Sequence, residues 1–355
     1  MRVAPLEKII TILYHIDEKK ARRTERAFDN LQKKGYNMLV MKIFLIVSFA
    51  IALLIALTAW ICFYMAFYSP KRKPLGKDEY EIPDGVVYEP YREVMVGWMK
   101  ETRAMSYETL SVRTKDGLTL RGKYYEYEEG APIELMFHGY RGTSERDLCG
   151  GVQRCFKLGR SALVVDQRAS GESDGRVITF GLKESEDCVA WIDLMIRRFG
   201  KDVKVFLTGI SMGAATVMIA AGKDLPENVV GVVADCGYSS AKEIIKKVIR
   251  DMRLPADLLY PFVRLGGLVY GRFDIEKACP KEALKNCRLP IIFAHGETDD
   301  FVPCDMSREN FEACASEKKW IYTVANAGHG LSFILDKEGY IRALREAAGE
   351  YENNC

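Results

Sequence analysis

The chain has 355 residues, of which 48% are hydrophobic and 28% are charged, enough for a well-packed core in one large domain or two modest ones. Its net charge of +2 hides an excess of positive charge in residues 1–42, so the rest of the chain is mildly acidic. This balance argues against nucleic-acid binding by the main domain.

The first element is a polar, basic segment, residues 1–42, whose charges concentrate between Asp17 and Arg26. We interpret it as a solvated tail, with an amphipathic helix on an anionic membrane face as the alternative. Met38 and Met41 are alternative starting points, because Met41 and Lys42 stand directly before an apolar run.

The second element, residues 43–68, carries no charge over 26 positions, and a helix needs roughly 20 to span a bilayer. Aromatic side chains collect at its far end, as in an interfacial belt: Trp60, Phe63, Tyr64, Phe67 and Tyr68. A buried core helix is rarely apolar all round for so long, and a cleaved signal peptide has a shorter apolar core. We therefore predict a single-pass membrane protein with an uncleaved transmembrane anchor. Its orientation stays open, because basic residues flank both sides.

Residues 69–107 follow as a predicted stalk, which contains Pro70, Pro74, Pro83 and Pro90. A short helix around Tyr91–Arg103 is expected to lead into the next domain.

Residues 108–355 alternate apolar runs with helical patterns, which predicts a mostly parallel, eight-stranded sheet covered on both faces. The predicted strands are Thr109–Arg113, Leu118–Tyr125, Ile133–Phe137, Ala162–Val165, Val203–Leu207, Val229–Val233, Ile291–Ala294 and Trp320–Val324. The predicted helices are Ser144–Leu158, Lys183–Phe199, Ser211–Gly222, Met306–Ala315 and Lys337–Ala348. Residues 240–288 interrupt this alternation. We predict that they form a helical cap over the carboxyl ends of the strands, where ligands bind in such sheets.

A strand followed by Gly-x-Ser-x-Gly and small helix formers is the strongest local signal, with the serine at Ser211. Gly209 and Gly213 leave room for a very tight turn, and the helix N-terminus favours developing negative charge. The pattern predicts that Ser211 is a nucleophile, with a plain helix N-cap serine as the alternative.

A serine hydroxyl needs a general base and an orienting carboxylate. His329 lies in a loop beyond the last strand and is the candidate base, whereas His138 is interpreted as structural. The acid is expected between Ser211 and His329, where Asp299, Asp300 and Asp235 are the alternatives in that order.

A tetrahedral intermediate also needs preorganised backbone N–H donors. One is expected from Met212, directly after Ser211. The other is expected from Tyr140, in the loop after the third strand, where Gly139 and Gly142 allow close approach.

Metal and disulfide chemistry find no support in the sequence. The ten cysteines are dispersed without a Cys-x-x-Cys pair, and only four histidines are present. We interpret most of the cysteines as buried thiols and expect no metal and no cofactor.

These motifs together resemble the α/β-hydrolase superfamily, and in particular its bacterial membrane-anchored branch similar to Bem46-like and serine-aminopeptidase-like hydrolases. The residues that carry the resemblance are His138–Gly142, Asp166–Gly175, Gly209–Gly213, His295–Pro303 and Ala327–Gly330. The resemblance implies that the acid is Asp299, because the family carries it on the Asp of H-G-x-x-D-x-x-V-P, and it supports His329 as the base.

The resulting hypothesis is a serine hydrolase that cleaves a carboxylic ester or thioester through an acyl-enzyme. A membrane anchor favours a small-molecule or lipid-like acyl substrate. An aminopeptidase-type serine peptidase is the first alternative, although residues 240–288 hold more basic than acidic side chains. A catalytically silent, membrane-anchored binding protein on the same fold is the second alternative.

Overall fold

The structure, a computed structural model, describes residues 4–71, 73 and 75–349. The parts of the predicted N-terminal segment, stalk and catalytic domain that fall on residues 1–3, 72, 74 and 350–355, including Pro74, lie outside the described residues. The chain divides into two compact units, residues 1–58 and 59–355.

The described part of the first unit, residues 4–58, is helical. It belongs to helix α1, which runs from Ala4 to Ala66 and so continues into the second unit. Between Asp17 and Ala66 the helix is long and apolar enough to cross a membrane, a property that a signal sequence near the N-terminus shares. The segment predicted as a solvated tail is therefore helical over its described part.

The second unit is built on one eight-stranded sheet with the order β1-β2-β4-β3-β5-β6-β7-β8. Its strands are β1 Glu108–Arg113, β2 Thr119–Tyr125, β3 Ile133–Phe137, β4 Ser161–Asp166, β5 Val205–Ile210, β6 Val229–Asp235, β7 Ile291–Gly296 and β8 Lys319–Val324. The pairs β1–β2 and β2–β4 are antiparallel, and all other neighbours are parallel. The predicted mostly parallel sheet is thus confirmed.

Helices cover both faces of this sheet. They are α2 Arg92–Ala104, α3 Ser144–Asp147, α4 Gly151–Lys157, α5 Glu184–Phe199, α6 Met212–Ala221, α7 Ala241–Asp251, α8 Ala256–Gly266, α9 Pro280–Leu284, α10 Cys304–Ala313, α11 Ser332–Leu335 and α12 Lys337–Ala347. Strand β3 shows why two layers are needed. Its side chains are all buried, and Leu135 joins the core beneath α5 and α6, whereas Met136 joins the core beneath α4.

One predicted helix, Ser144–Leu158, is two helices in the structure. The interruption follows from Gly150, whose φ of 81° lies in the left-handed region that ends a helix.

The segment predicted as a stalk packs against the sheet unit. A 3-10 turn at Val86–Tyr91 leads into α2, and an apolar cluster buries Ile82, Tyr88, Met95 and Met99 together with Leu331.

The cap lies between β6 and β7 and comprises α7, α8, a π-turn at Gly267–Gly271, a 3-10 turn at Ile275–Lys277 and α9. Its core includes two side chains from the end of α1 and the segment after it, Phe63 and Phe67, which are buried among cap residues such as Val263 and Phe273.

Candidate active site

Ser211 occupies a strained turn between β5 and α6. Its φ of 57° is unusual for a residue with a side chain. A Cβ atom on Gly209 would lie 2.0 Å from the Gly213 carbonyl oxygen, and one on Gly213 would lie 2.0 Å from the Phe137 carbonyl oxygen. Both glycines are therefore required for α6 to start this close to β3 and β5. The backbone N–H of Ser211 donates to the Asp235 carbonyl at 2.8 Å, which fixes the turn to the next strand.

The three residues that the sequence proposes as a triad form one hydrogen-bonded chain. The Oγ of Ser211 lies 2.9 Å from Nε2 of His329, and Nδ1 of His329 lies 2.7 Å from Oδ2 of Asp299. If Nδ1–H donates to the carboxylate, Nε2 is free to accept the proton of the serine hydroxyl. This is the tautomer that general-base catalysis requires.

Asp299 is held in place by four donors. Its Oδ1 accepts from the backbone N–H groups of Phe301 and Val302 at 2.9 and 2.8 Å, and its Oδ2 also lies 3.1 Å from Nε2 of His295. Burial raises the pKa of this carboxyl, but the hydrogen bonds from His295 and His329 outweigh burial, so the pKa is well below its usual range. Asp299 is therefore a carboxylate that can stabilise a protonated His329.

The two alternative acids are engaged elsewhere. Asp235 is buried beneath Ser211, where its Oδ2 accepts from the Tyr340 hydroxyl at 2.8 Å, and burial raises its pKa. Asp300 is exposed, and its backbone carbonyl accepts from the Lys247 ammonium group. Neither hydrogen-bonds to His329.

The predicted oxyanion donors flank Ser211. A Cβ atom on Gly139 would lie 3.5 Å from the Ser211 Cβ, so the loop that carries Tyr140 passes directly beside the hydroxyl. Met212 is the first residue of α6, and its backbone N–H is one of those that a helix leaves unpaired.

Asp147, which the sequence analysis did not single out, shapes this loop. Its Oδ2 accepts from the Gly139 N–H at 3.0 Å, and a Cβ atom on Gly142 would lie 1.7 Å from the same carboxylate oxygen. The Arg146 guanidinium pairs with the other oxygen at 2.6 Å. The turn from Gly139 to Gly142 is thus folded around a carboxylate.

His138 has a structural role, as predicted. Its Nε2 accepts from the Gln167 N–H at 3.0 Å, and Nδ1 lies 2.8 Å from the Gly139 carbonyl. The Gln167 side chain returns a hydrogen bond to the His138 carbonyl at 2.6 Å. The Asp166–Gly175 loop thereby braces the residues that precede Tyr140.

Ser211 and His329 line a cavity of about 900 Å³ at the carboxyl ends of the strands. Its wall includes Tyr88 from the segment before the sheet, whose hydroxyl donates to the His329 carbonyl at 3.0 Å. The Phe301 ring lies edge-on to the His329 imidazole, with the ring centroids 5.0 Å apart.

Among the described residues, one group offers converging metal-ligand atoms: Cys236, Asp299 and His329, within 4.8 Å of one another. Both nitrogens of His329 are already engaged, because Nδ1 lies 2.7 Å from Oδ2 of Asp299 and Nε2 lies 3.9 Å from the sulfur of Cys236. Burial raises the pKa of the Cys236 thiol well above its usual value, which disfavours the thiolate that a metal would need.

Sequence reasoning missed Tyr88, Asp147 and the support that His295 gives to Asp299. For His295 the signal was present, because a histidine four residues before the proposed acid follows directly on a buried strand. Asp147 lies only eight residues after Gly139, but no motif marks it as the carboxylate that folds this loop. Tyr88 reaches the site through a contact with the distant His329, for which the sequence gives no local signal.

A family model described as alpha/beta hydrolase fold matches residues 135–266. Thiohydrolase aneE of Aspergillus aculeatus is 31% identical over 298 residues, covering 69% of this chain and 93% of that protein. Protein bem46 of Schizosaccharomyces pombe is 25% identical over 257 residues, covering 70% of this chain and 79% of that protein. The match to the uncharacterized protein YqkD of Bacillus subtilis, at 24% identity, covers 53% of this chain and 62% of YqkD, less than two thirds of its length.

Among solved structures, the Pyrococcus furiosus esterase Pf2001 is similar with a TM-score of 0.59 at 20% identity. The similarity covers 78% of this chain and 99% of the esterase, and it shows a common fold.

Proposed function

The chain belongs to the α/β-hydrolase family, within which it is similar to Bem46, and on that premise we propose that it is a membrane-anchored serine hydrolase for carboxylic esters or thioesters. The observation that carries the proposal is the continuous hydrogen-bonded chain from Ser211 through His329 to Asp299 at the wall of a large cavity. The names of the esterase and thiohydrolase relatives support this bond class.

The proposed reaction has two halves. Ser211 Oγ attacks the acyl carbon while Nε2 of His329 takes its proton, and His329 then returns this proton to the leaving alcohol or thiol. Water attacks the acyl-enzyme with His329 again as the base, which releases the acid and restores Ser211. Asp299 stays ionised throughout and stabilises the imidazolium, consistent with its lowered pKa.

The negative charge of the tetrahedral intermediate is assigned to the backbone N–H groups of Met212 and Tyr140. Removing one such donor typically costs on the order of 10²–10³-fold in kcat. The N-terminal end of α6 adds a favourable dipole at the same place.

The membrane part of the proposal rests on α1. The uncharged run Ile43–Tyr68, which lies in α1 except for its last two residues, has 26 residues and exceeds the roughly 20 that span a bilayer. A membrane anchor places the cavity near lipids, which favours lipid-like acyl substrates.

The test is labelling of the full chain by a fluorophosphonate probe, followed by intact mass measurement. The wild type is expected to gain one adduct and Ser211→Ala none. Ser240→Ala is the matched control, because this serine side chain makes no capping hydrogen bond at the start of α7, and it should label like the wild type.

Failure of the folded wild type to label would contradict the proposal and favour the silent binding protein. A labelled enzyme would then be tested on matched ester, thioester and amide substrates. A preference for amides with a free amino terminus would favour the peptidase instead.

A further inference from the structure

Helix α8 of the cap is apolar on two sides. One side packs into the protein through Ala256, Tyr260 and Val263, which are all buried. Large apolar side chains are exposed just before α8, on its opposite side and on the π-turn that follows it. They form what we name the apolar cap surface: Leu254, Leu258, Leu268, Val269 and Tyr270. Leu258 is 63% exposed and Val269 is 56% exposed. The helix also carries two charged side chains, Asp257 and Arg264, so it is amphipathic rather than apolar all round. Amphipathic helices with exposed apolar side chains are typical of contact with a membrane surface or a partner.

This surface adjoins the last turns of α1. Ala59 and Phe63 of α1, together with Phe67 directly after it, form a buried stripe at spacing i, i+4, i+8. The cap fits against it closely, because a Cβ atom on Gly266 would lie 2.5 Å from the Ala59 carbonyl oxygen. The rings of Phe63 and Tyr270 lie 5.9 Å apart, so the apolar cap surface begins where the stripe of α1 ends.

The depth of the contact follows from helix geometry. Ala59 precedes the end of α1 at Ala66 by seven residues, which is about 10 Å along the axis at 1.5 Å per residue. Both residues belong to the uncharged run Ile43–Tyr68. Gly266 contacts Ala59, so its backbone lies about 10 Å further along the apolar run than Ala66. If that run spans a membrane, Gly266 lies at a depth typical of amphipathic helices at the headgroup and acyl boundary.

We propose that the apolar cap surface is inserted at the boundary of headgroups and acyl chains in the lipid leaflet that it faces. The hydrolase then contacts the membrane through its cap as well as through α1. The partner is a lipid surface, and the argument for it is continuity with the predicted membrane-spanning run. The proposal rests on the membrane insertion of α1, which is part of the proposed function.

The embedded cap deepens the proposed function by specifying how substrate arrives. The hydroxyl of Tyr140 donates to the Ala66 carbonyl at 2.8 Å, and Tyr140 also lines the cavity that contains Ser211. One side chain therefore connects the end of α1 with the cavity wall. The substrate class that fits this placement is a membrane-resident lipid ester or thioester.

The experiment places the photoreactive residue p-benzoylphenylalanine at single positions of the full chain. The protein is reconstituted in vesicles of dioleoyl-phosphatidylcholine and dioleoyl-phosphatidylglycerol in equal parts, irradiated, and measured for covalent lipid adducts by intact mass. Leu258 and Val269 test the apolar cap surface. Leu54, exposed within the uncharged run, tests the insertion of α1.

Tyr127 is the matched negative position. It is 44% exposed and follows the end of β2, at the edge of the sheet where the parallel strands begin. We expect lipid adducts at Leu258, Val269 and Leu54 and none at Tyr127.

The outcomes separate the two proposals. Adducts at Leu54 without adducts at Leu258 and Val269 would overturn the embedded cap and leave the anchor intact. Absence of adducts at Leu54 would contradict the anchor, and the embedded cap would fall with it. Crosslinks between protein copies at Leu258 and Val269, without lipid adducts, would reassign the surface to a protein interface.

Discussion

The Arg141 side chain links the end of α1 to the proposed oxyanion loop, and its removal is expected to affect both. Its Nη2 donates to the Met65 carbonyl at 2.9 Å and to the Tyr68 carbonyl at 2.7 Å. Carbonyls at the end of a helix lack intrahelical partners, and a cation there is also favoured by the helix dipole. Tyr140, the proposed oxyanion donor, is the preceding residue.

The expected loss of stability in Arg141→Ala follows from these two hydrogen bonds. A hydrogen bond to a charged group contributes about 1.5–3 kcal/mol to stability. Arg141 is partly exposed, so hydrogen bonds to water offset part of this contribution in the unfolded chain and in the variant. Arg141→Ala should therefore lower the free energy of unfolding by about 2 kcal/mol in total. For the second unit, residues 59–355, an unfolding entropy of about 2.1 cal/mol/K per residue makes the expected fall in melting temperature roughly 3 °C. Loss of one oxyanion donor costs on the order of 10²–10³-fold in kcat, so a loosened but present donor should cost about tenfold.

The assay is hydrolysis of a short p-nitrophenyl ester by the full chain in detergent, with thermal unfolding measured in parallel. We expect kcat to fall while KM changes little, because the oxyanion contact forms only in the transition state. Arg253→Ala is the control, because Arg253 shares the positive φ of Arg141, 58° against 51°, but is exposed. An unchanged kcat with a lowered melting temperature would refute the link between the helix end and the loop.

Two further substitutions test the geometry around Ser211. Asp299→Asn should lower kcat by on the order of 10⁴-fold while the fold is kept, because the tautomer of His329 is no longer fixed. The pKa of Asp299 is lower in the folded than in the unfolded chain, so its carboxylate stabilises the fold above about pH 4. This stabilisation is lost as the pH falls further. The difference in melting temperature between the wild type and Asp299→Asn should therefore narrow below about pH 4. A difference that is constant with pH would contradict this. Gly213→Ala should abolish labelling of Ser211 by the fluorophosphonate probe, since its Cβ would lie 2.0 Å from the Phe137 carbonyl oxygen and displace α6; undiminished labelling would show that the turn can adapt.

Much of the sheet could be predicted from the sequence, because its central strands are continuous apolar runs. Ile133–Phe137 matches the structure residue for residue, and the other strands differ by a few residues at their ends. The meeting of Ser211, Asp299 and His329 could also be predicted, since loops that follow parallel strands gather at one edge of the sheet.

The remaining features depend on contacts between distant segments. Tyr88 reaches His329 across 241 positions, and no local pattern marks a proline-rich segment as part of a cavity wall. The end of α1 is apolar on every side, so its sequence does not distinguish the stripe of Phe63 and Phe67 that packs on the cap from the sides that do not. The second unit begins at Ala59, inside the predicted anchor, and for the same reason the sequence does not predict this boundary.

The proposed acyl-enzyme on Ser211 can be tested by trapping that intermediate. The full chain would be mixed with p-nitrophenyl acetate, quenched in acid within the first turnover, and digested for peptide mass analysis. We expect one acetyl group on the peptide that contains Ser211 and none in Ser211→Ala. Turnover of the ester without acetylated Ser211, or acetylation at another residue, would contradict it.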